Sequence, residues 1–274
     1  MGTITKALDL LSHFNSERGE IGLASFVRLS GGDKATVRRH LVELEKNGFI
    51  DKNPQTRGYH LGPAVLRLAS VREKHFPVRT AVMPVVDAMA ADLEELVHAS
   101  LLQGHVMSPV YHADTLRHGL RVIFDEAEML PLHATSSGLA MMAFGPESVL
   151  DRAIAGGLSS YAPNTVIAQS DILHLISRFR TRGYSFSDGY FTKDVISFGM
   201  PFFGPGGDAI GTLAVPFPRS RYTADLAARV LVALRDGCRR ITQSCGGTVP
   251  EALDAMWDRL PDTVTEIDIE GPVS

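Results

Sequence analysis

Residues 31–44 read GGDKATVRRHLVEL. Gly31 and Gly32 stop any preceding helix, Asp33 is a residue type that caps helix N-termini, and Val37, Leu41 and Leu44 recur at helical spacing. The pattern predicts a helix with one buried face, leaving Lys34, Arg38 and part of the Arg39–His40 region on the outer surface. The whole chain carries a formal charge of −4. A basic helix on such a protein is either a solvated face or a surface that meets a polyanion.

The neighbouring sequence favours the second reading. Ile4, Ala7, Leu8, Leu11 and Phe14 predict a first amphipathic helix, with Thr3 and Thr5 as candidate caps. After a polar turn over 15–20, Leu23, Phe26 and Val27 predict a short second helix ending at the glycines. Beyond Asn47-Gly48, two extended pieces (49–52 and 58–61) flank a polar tip, Asn53-Pro54-Gln55-Thr56-Arg57. Three helices followed by a basic-tipped hairpin is the order of a winged helix-turn-helix, whose third helix fits a major groove. Residues 1–75 hold 12 Lys/Arg against 8 Asp/Glu, so the remaining 199 residues hold 15 against 23. The basic part and the acidic part therefore suit separate partners.

From 61 to 70 a connecting helix begins, His75-Phe76-Pro77 interrupts it, and an apolar stripe (Ala81, Val82, Val85, Val86, Met89, Leu93) marks another helix, in which Pro84 is either a kink or part of the true first turn. Strands are expected at 99–102, 106–111, 121–124, 184–191, 196–203 and 209–216, and helices at 136–144, 147–155, 170–182 and 223–243. This is an α+β arrangement: an N-terminal winged helix-turn-helix plus a domain with an antiparallel sheet flanked by helices. The expected divisions are 1–62 for the winged helix, 63–77 for a linker helix, 78–246 for the sheet domain and 247–274 for an acidic C-terminal extension with a helix near Trp257 and a loose tail. GPGGDAIG (204–211) fits a hairpin turn, not a nucleotide fingerprint, and no cofactor is expected. No window has the ~18 apolar residues of a membrane helix. Asp9 and polar breaks in the first helix do not suit a signal peptide, and Cys238 and Cys245 suit packing on one helical face. A cytoplasmic protein without a membrane partner is the expectation.

Taken together these residues resemble the IclR family of bacterial transcription regulators over about residues 3–245. ITKALDLLSHF, ASFVRLSGGDKATVRRHLVELEKNGFI and RGYHLGPAVLRLA fall where that family carries its winged helix. PLHATSSGLAMMAF (131–144) is similar to its C-terminal signature, and RGYSFSDGY (182–190), GMPFFGPGGDAIGTLAV (199–215) and Arg221 follow in order. The resemblance implies a GAF-like effector domain and a homodimer or dimer of dimers on a partly palindromic double-stranded operator. It also implies control by a small molecule, often an organic acid or aromatic catabolite. Lys34, Arg38, Arg39 and His40 of the basic helix and Arg57 of the wing tip are the DNA-binding candidates, and the resemblance adds Thr36 because the usual serine position reads Ala35. The effector candidates are His133, Thr135, Ser136, Ser137, Gly138, Asp188, Ser197 and Ala214. Independently, Thr135-Ser136-Ser137 stand where a loop enters a helix, whose free amides favour an anion, although one hydroxyl there is also an ordinary cap.

Some polar positions of the family are absent: Ser197 replaces a frequent cysteine, and Ala214-Val215-Pro216-Phe217 replaces a serine-rich strand end. With Phe191, Phe198, Phe202, Phe203 and Phe217 nearby, the expected ligand has a carboxylate at the 136–138 helix end and an apolar or aromatic body. The alternative is a cavity filled by aromatic side chains, with no small-molecule response. A hydrolase using Ser136 and His133 is a further alternative, disfavoured by the lack of a G-x-S-x-G elbow and of an acid partner. The spacings among His105, His112, His118 and His133 match no metal motif, so neither catalysis nor a metal is expected.

Overall fold

The computed structural model describes residues 2–260, which form two compact units, one of residues up to 77 together with 125–127 and the other of residues 78–124 and from 128 on. The expected loose tail falls mainly on residues 261–274, outside the described residues.

The N-terminal unit contains α1 (Thr3–Leu11), α2 (Leu23–Ser30), α3 (Lys34–Lys46), the antiparallel pair β1 (Ile50–Lys52) and β2 (Tyr59–Leu61), and α4 (Pro63–His75). Phe26 is fully buried at its centre, with the rings of Phe14 and Tyr59 edge-on at 5.7 and 6.2 Å. Leu10, Val37, Leu41, Leu44 and Ile50 complete this core. Thr3 and Thr5 are not caps: α1 starts from Gly2 without a side-chain cap, and both threonines lie inside the helix. Pro63 opens α4, where its missing amide costs nothing.

The second unit opens with α5 (Val78–Leu93), which continues through Pro84. Pro84 faces solvent while Val78, Val82, Val85, Val86, Met89 and Leu93 are buried, so the lost backbone bond lies on the wet side. A six-stranded antiparallel sheet has the order β5-β4-β3-β8-β7-β6, formed by β3 (Val97–Gln103), β4 (Val106–Ala113), β5 (Leu130–Pro131), β6 (Ser185–Asp188), β7 (Val195–Phe203) and β8 (Ala209–Pro218). Helices α6 (Ser136–Phe144), α7 (Glu147–Ala155), α8 (Gln169–Arg182), α9 (Ala224–Ser244) and α10 (Glu251–Trp257) complete the described residues. Alternation along β7 puts Ser197 and Gly199 under α6, and Phe198 and Met200 on the opposite face, where Cys238 of α9 lies 3.6 Å from the Met200 carbonyl.

Three expectations need correction. Residues 121–124 form no strand; the apolar surface of Phe124 lies against the His98 and His112 rings instead of in a ladder. The strand expected to reach Phe191 ends at Asp188, because Gly189 turns the chain at φ 70°. The segment after Gly246 is not wholly peripheral. Leu253, Trp257 and Leu260 are buried, and the Trp257 indole N–H donates to the Gly183 carbonyl at 2.7 Å. GPGGDAIG does form the β7–β8 hairpin, with Gly207 at φ 79°.

Candidate functional site

The turn between α2 and α3 is built by local hydrogen bonds. Gly31 ends α2 in the left-handed region, and the Ser30 hydroxyl donates to Phe26 O at 2.7 Å while accepting from Gly32 N at 3.3 Å. Asp33 then caps α3 by accepting from Thr36 N at 2.9 Å. The Thr36 hydroxyl and amide hold the Asp33 carboxyl below the usual carboxylate range. With Val37, Leu41 and Leu44 inward, Lys34, Arg38 and Arg39 are exposed and Thr36 is half-buried. His40 is buried, not outward: it lies three residues after Val37, on the same helical stripe as Leu44. Its Nε2 has no hydrogen-bond partner among the described residues.

The hairpin tip is held from two sides. Asn53 accepts Gln55 N at 2.9 Å, and Glu20 accepts from Asn53 Nδ2 at 3.1 Å and from the Thr56 hydroxyl. The tip presents Arg57 to solvent at φ 61°, and Lys52 projects over the Tyr59 ring at 5.5 Å. The N-terminal unit thus has a helix that exposes Lys34, Arg38, Arg39 and Lys46 and a wing that exposes Lys52 and Arg57, a form suited to the phosphates and base edges of duplex DNA.

In the second unit, a cavity of about 80 Å³ opens at the start of α6. Thr135 and Ser136 form its helix end, Ser187, Ser197 and Pro216 its sheet floor, and His98 and Phe124 one wall; Glu128 and Tyr190 also border it. The Ser136 hydroxyl meets that of Ser197 at 2.6 Å, and the Ser136 carbonyl accepts from Ser185 Oγ at 2.7 Å. Thr135 is the cap of α6, accepting Gly138 N at 3.1 Å and donating to Pro131 O at 2.9 Å. The capping reading is therefore correct for Thr135, while the amides of Ser136 and Ser137 precede the first intrahelical bond. No lysine or arginine borders the cavity among the described residues. Full burial pushes the His98 pKa down to about 3, with His112 adding to the effect, so the ring is neutral at ordinary pH.

Of the expected effector residues, the fold brings Thr135, Ser136 and Ser197 to this cavity. The others do not border it. His133 Nε2 lies 2.8 Å from Ser159 O, so it does not meet Ser136 and the serine–histidine pair of the hydrolase alternative is not formed. Ser137 is fully buried without a partner for its hydroxyl. Gly138 is there for packing: a Cβ would fall 2.3 Å from Leu132 Cα. Ala214 is buried in the sheet between His98 and Gly199. Asp188 pairs with Arg219, and burial, opposed by that cation, raises its carboxyl above the usual range.

The aromatic filling is also different from expectation. Phe191 borders the cavity, whereas Phe198 and Phe217 pack together at 6.1 Å on the other sheet face, and Phe202 and Phe203 lie in the core. Phe124 and His98 carried no sequence signal of their own, since only the β3–β8 register sets His98 beside Ala214. No group of three or more His, Cys, Asp or Glu that could hold a metal occurs among the described residues, and no helix there is long and apolar enough to cross a membrane.

Comparison with known proteins accounts for both units. Residues 3–54 match the family described as IclR helix-turn-helix domain, and residues 72–243 match that described as bacterial transcriptional regulator IclR C-terminal. A solved structure of an IclR-type regulator from a Silicibacter strain is 40% identical with TM-score 0.82, covering 91% of this chain and 98% of that one. A Mycobacterium tuberculosis HTH-type transcriptional regulator is 25% identical over 231 residues, 83% of this chain and 88% of the relative. An IclR homologue from Microbacterium hydrocarbonoxydans, solved with 4-hydroxybenzoate, shares the fold at 20% identity and TM-score 0.71, over 89% of this chain and all of that one. With both its helix-turn-helix and its C-terminal region matched, the chain belongs to the IclR family of bacterial transcriptional regulators.

Proposed function

We propose that this regulator binds a double-stranded, partly palindromic operator through Lys34, Thr36, Arg38 and Arg39 of α3 and Arg57 of the wing, under the control of a small organic acid held at the start of α6. The observation that carries the DNA reading is the separation of faces on α3: the cations lie outside, and the one titratable side chain on the core stripe, His40, lies inside. Self-association as a homodimer or dimer of dimers is supported by exposed apolar side chains on α1 (Ile4, Leu8) and α4 (Leu66, Leu68, Val71). A carboxylate-bearing ligand is supported by the Ser136 amide at the helix start beside the Ser136–Ser197 hydroxyl pair; with no cation at the cavity, an anion would depend on these donors. The homologue solved with 4-hydroxybenzoate makes an acid of this size a reasonable probe. Action on DNA places the protein in the cytoplasm, with DNA, ligand and a second copy as its partners and no catalysis required.

Gel-shift titration on the chain's own promoter region tests the DNA face. Binding should weaken steeply with salt, Arg57→Ala should weaken all sequences alike and lower the salt slope by about 1, and Arg38→Ala should cost ~1–3 kcal/mol of sequence discrimination. Wild-type binding by both variants would move the DNA face elsewhere.

A further inference from the structure

The cavity at α6 is too small for the ligand class that its polar groups suit. It encloses about 80 Å³, whereas a single benzene needs roughly 150 Å³. One wall is a side chain from an irregular segment. The Phe124 ring lies 4.5 Å from the His98 ring at an interplanar angle of 30°, and 5.3 Å from that of His112. His98 is fixed in β3, paired to Ala214, with its Nδ1 3.3 Å from the Ser100 hydroxyl. Phe124 has no such anchor in a ladder.

The segment that carries Phe124 is poorly buried and has room to move. Leu120 is 64% exposed and Ile123 is 90% exposed, so the segment buries little of its own apolar surface. Residues 122–124 border the cavity on one side and a separate groove of about 410 Å³ on the other, against Leu96 and residues 111–114. A segment that buries little opens at low cost.

We propose that Phe124 is a resident plug, and that the effector is an aromatic acid whose ring replaces the Phe124 phenyl on His98 while its carboxylate meets the α6 start at Ser136. The proposal rests on the reading of this cavity as the effector site and adds the ligand's ring, its seat and the group it displaces. Withdrawing one phenyl group adds about the space of the benzene that the closed cavity lacks, so plug and ligand exclude each other. The uncharged His98 ring is a stacking platform with no demand for a counter-charge. Binding is then linked to outward movement of residues 120–124. The apparent affinity falls by the fraction of chains with the plug withdrawn.

Isothermal titration of the full chain with benzoate and with butyrate tests this, on wild type and on Phe124→Ala. Removing the plug should tighten benzoate binding by about threefold to tenfold, the worth of one aromatic pair, with a smaller gain for butyrate. His98→Ala in the Phe124→Ala background should lose the difference between the two acids. Equal or weaker benzoate binding by folded Phe124→Ala would overturn the plug while leaving the effector site standing. An equal gain for both acids would overturn the aromatic seat. Absence of binding of either acid to any of these proteins would overturn both the plug and the acid-effector reading. Should Phe124→Ala fail to fold, as judged by circular dichroism, Phe124→Val gives the same comparison with the ring removed and about half the volume kept, with a smaller gain expected.

Discussion

The Ser136 hydroxyl at the first turn of α6 lies 2.6 Å from the Ser197 hydroxyl near the start of β7. Each is almost wholly buried, so the pair both ties a helix start to the sheet and presents polar atoms to the cavity. Ser185 adds a second tie by donating to Ser136 O at 2.7 Å and to Gly199 O at 3.1 Å. The backbones approach closely enough that a Cβ on Gly199 would fall 2.8 Å from Ser136 O.

Ser197→Ala should therefore have two effects. It leaves a buried hydroxyl without its partner, which costs about 1–3 kcal/mol. It also removes one donor from the cavity, so acid binding should weaken. Thermal melts and calorimetric titration of the same preparation check both; an unchanged melting temperature would mean that the pair is no structural tie.

His40→Leu is the corresponding test on α3. Because His40 is buried with Nε2 unpaired among the described residues, an apolar replacement should leave stability unchanged or raise it by up to about 1 kcal/mol. DNA affinity and its salt slope should not change. A tenfold loss of operator binding with an unchanged urea midpoint would return His40 to the DNA face.

The difference between those two sites explains what the sequence could and could not disclose. Helical periodicity placed Val37, Leu41 and Leu44 correctly, and Asp33 acts as the cap its type suggested, because both features are local. The same periodicity places His40 inside, but its polarity argued for the surface, and packing prevailed. At the effector site the loop-to-helix position of Thr135 and Ser136 was legible, whereas membership of the cavity depends on strand register. Ser197 and Phe198 are neighbours in sequence and face opposite sides, so counting phenylalanines near the signature could not reveal which ones border the cavity. The family resemblance gives Gly138 to the ligand, whereas its lack of a side chain lets Leu132 pack against α6. Phe124 was hidden for another reason: alternation over 121–124 looked like a strand, and no local rule signals that its ring is taken up by two histidines.

His98 sets a pH dependence whose sign follows from its burial. Its pKa is pushed down to about 3 from 6.5. The native state therefore holds the neutral ring, and the unfolded chain takes up a proton first as pH falls. The contribution is fully present above pH 6.5 and is lost progressively between 6.5 and about 3. At pH 5 the loss is about 2 kcal/mol, from 1.5 pH units at ~1.4 kcal/mol each. Urea unfolding at pH 7.5 and pH 5 should show this loss in wild type, and His98→Gln should be less acid-sensitive by that amount. Equal acid sensitivity of the two proteins would mean that His98 becomes protonated without unfolding.

Trp257, the chain's single tryptophan, makes the docking of α10 directly measurable. It is fully buried, its indole N–H donates to Gly183 O at 2.7 Å, and a Cβ on Gly183 would reach to 3.0 Å from its ring. Outside the ring, Arg239 of α9 pairs with Asp254 at 2.7 Å and with Asp258 at 2.6 Å. These ion pairs are partly exposed and contribute little singly, so the tryptophan should carry most of the docking energy. Trp257→Ala is expected to cost about 3–5 kcal/mol, whereas Arg239→Ala should cost no more than about 1. Wild-type fluorescence should be blue-shifted and should move to the red in one step with global unfolding. A red shift at lower urea, before the loss of helical circular dichroism, would show that α10 detaches independently and would make this segment a separable latch, not part of the core.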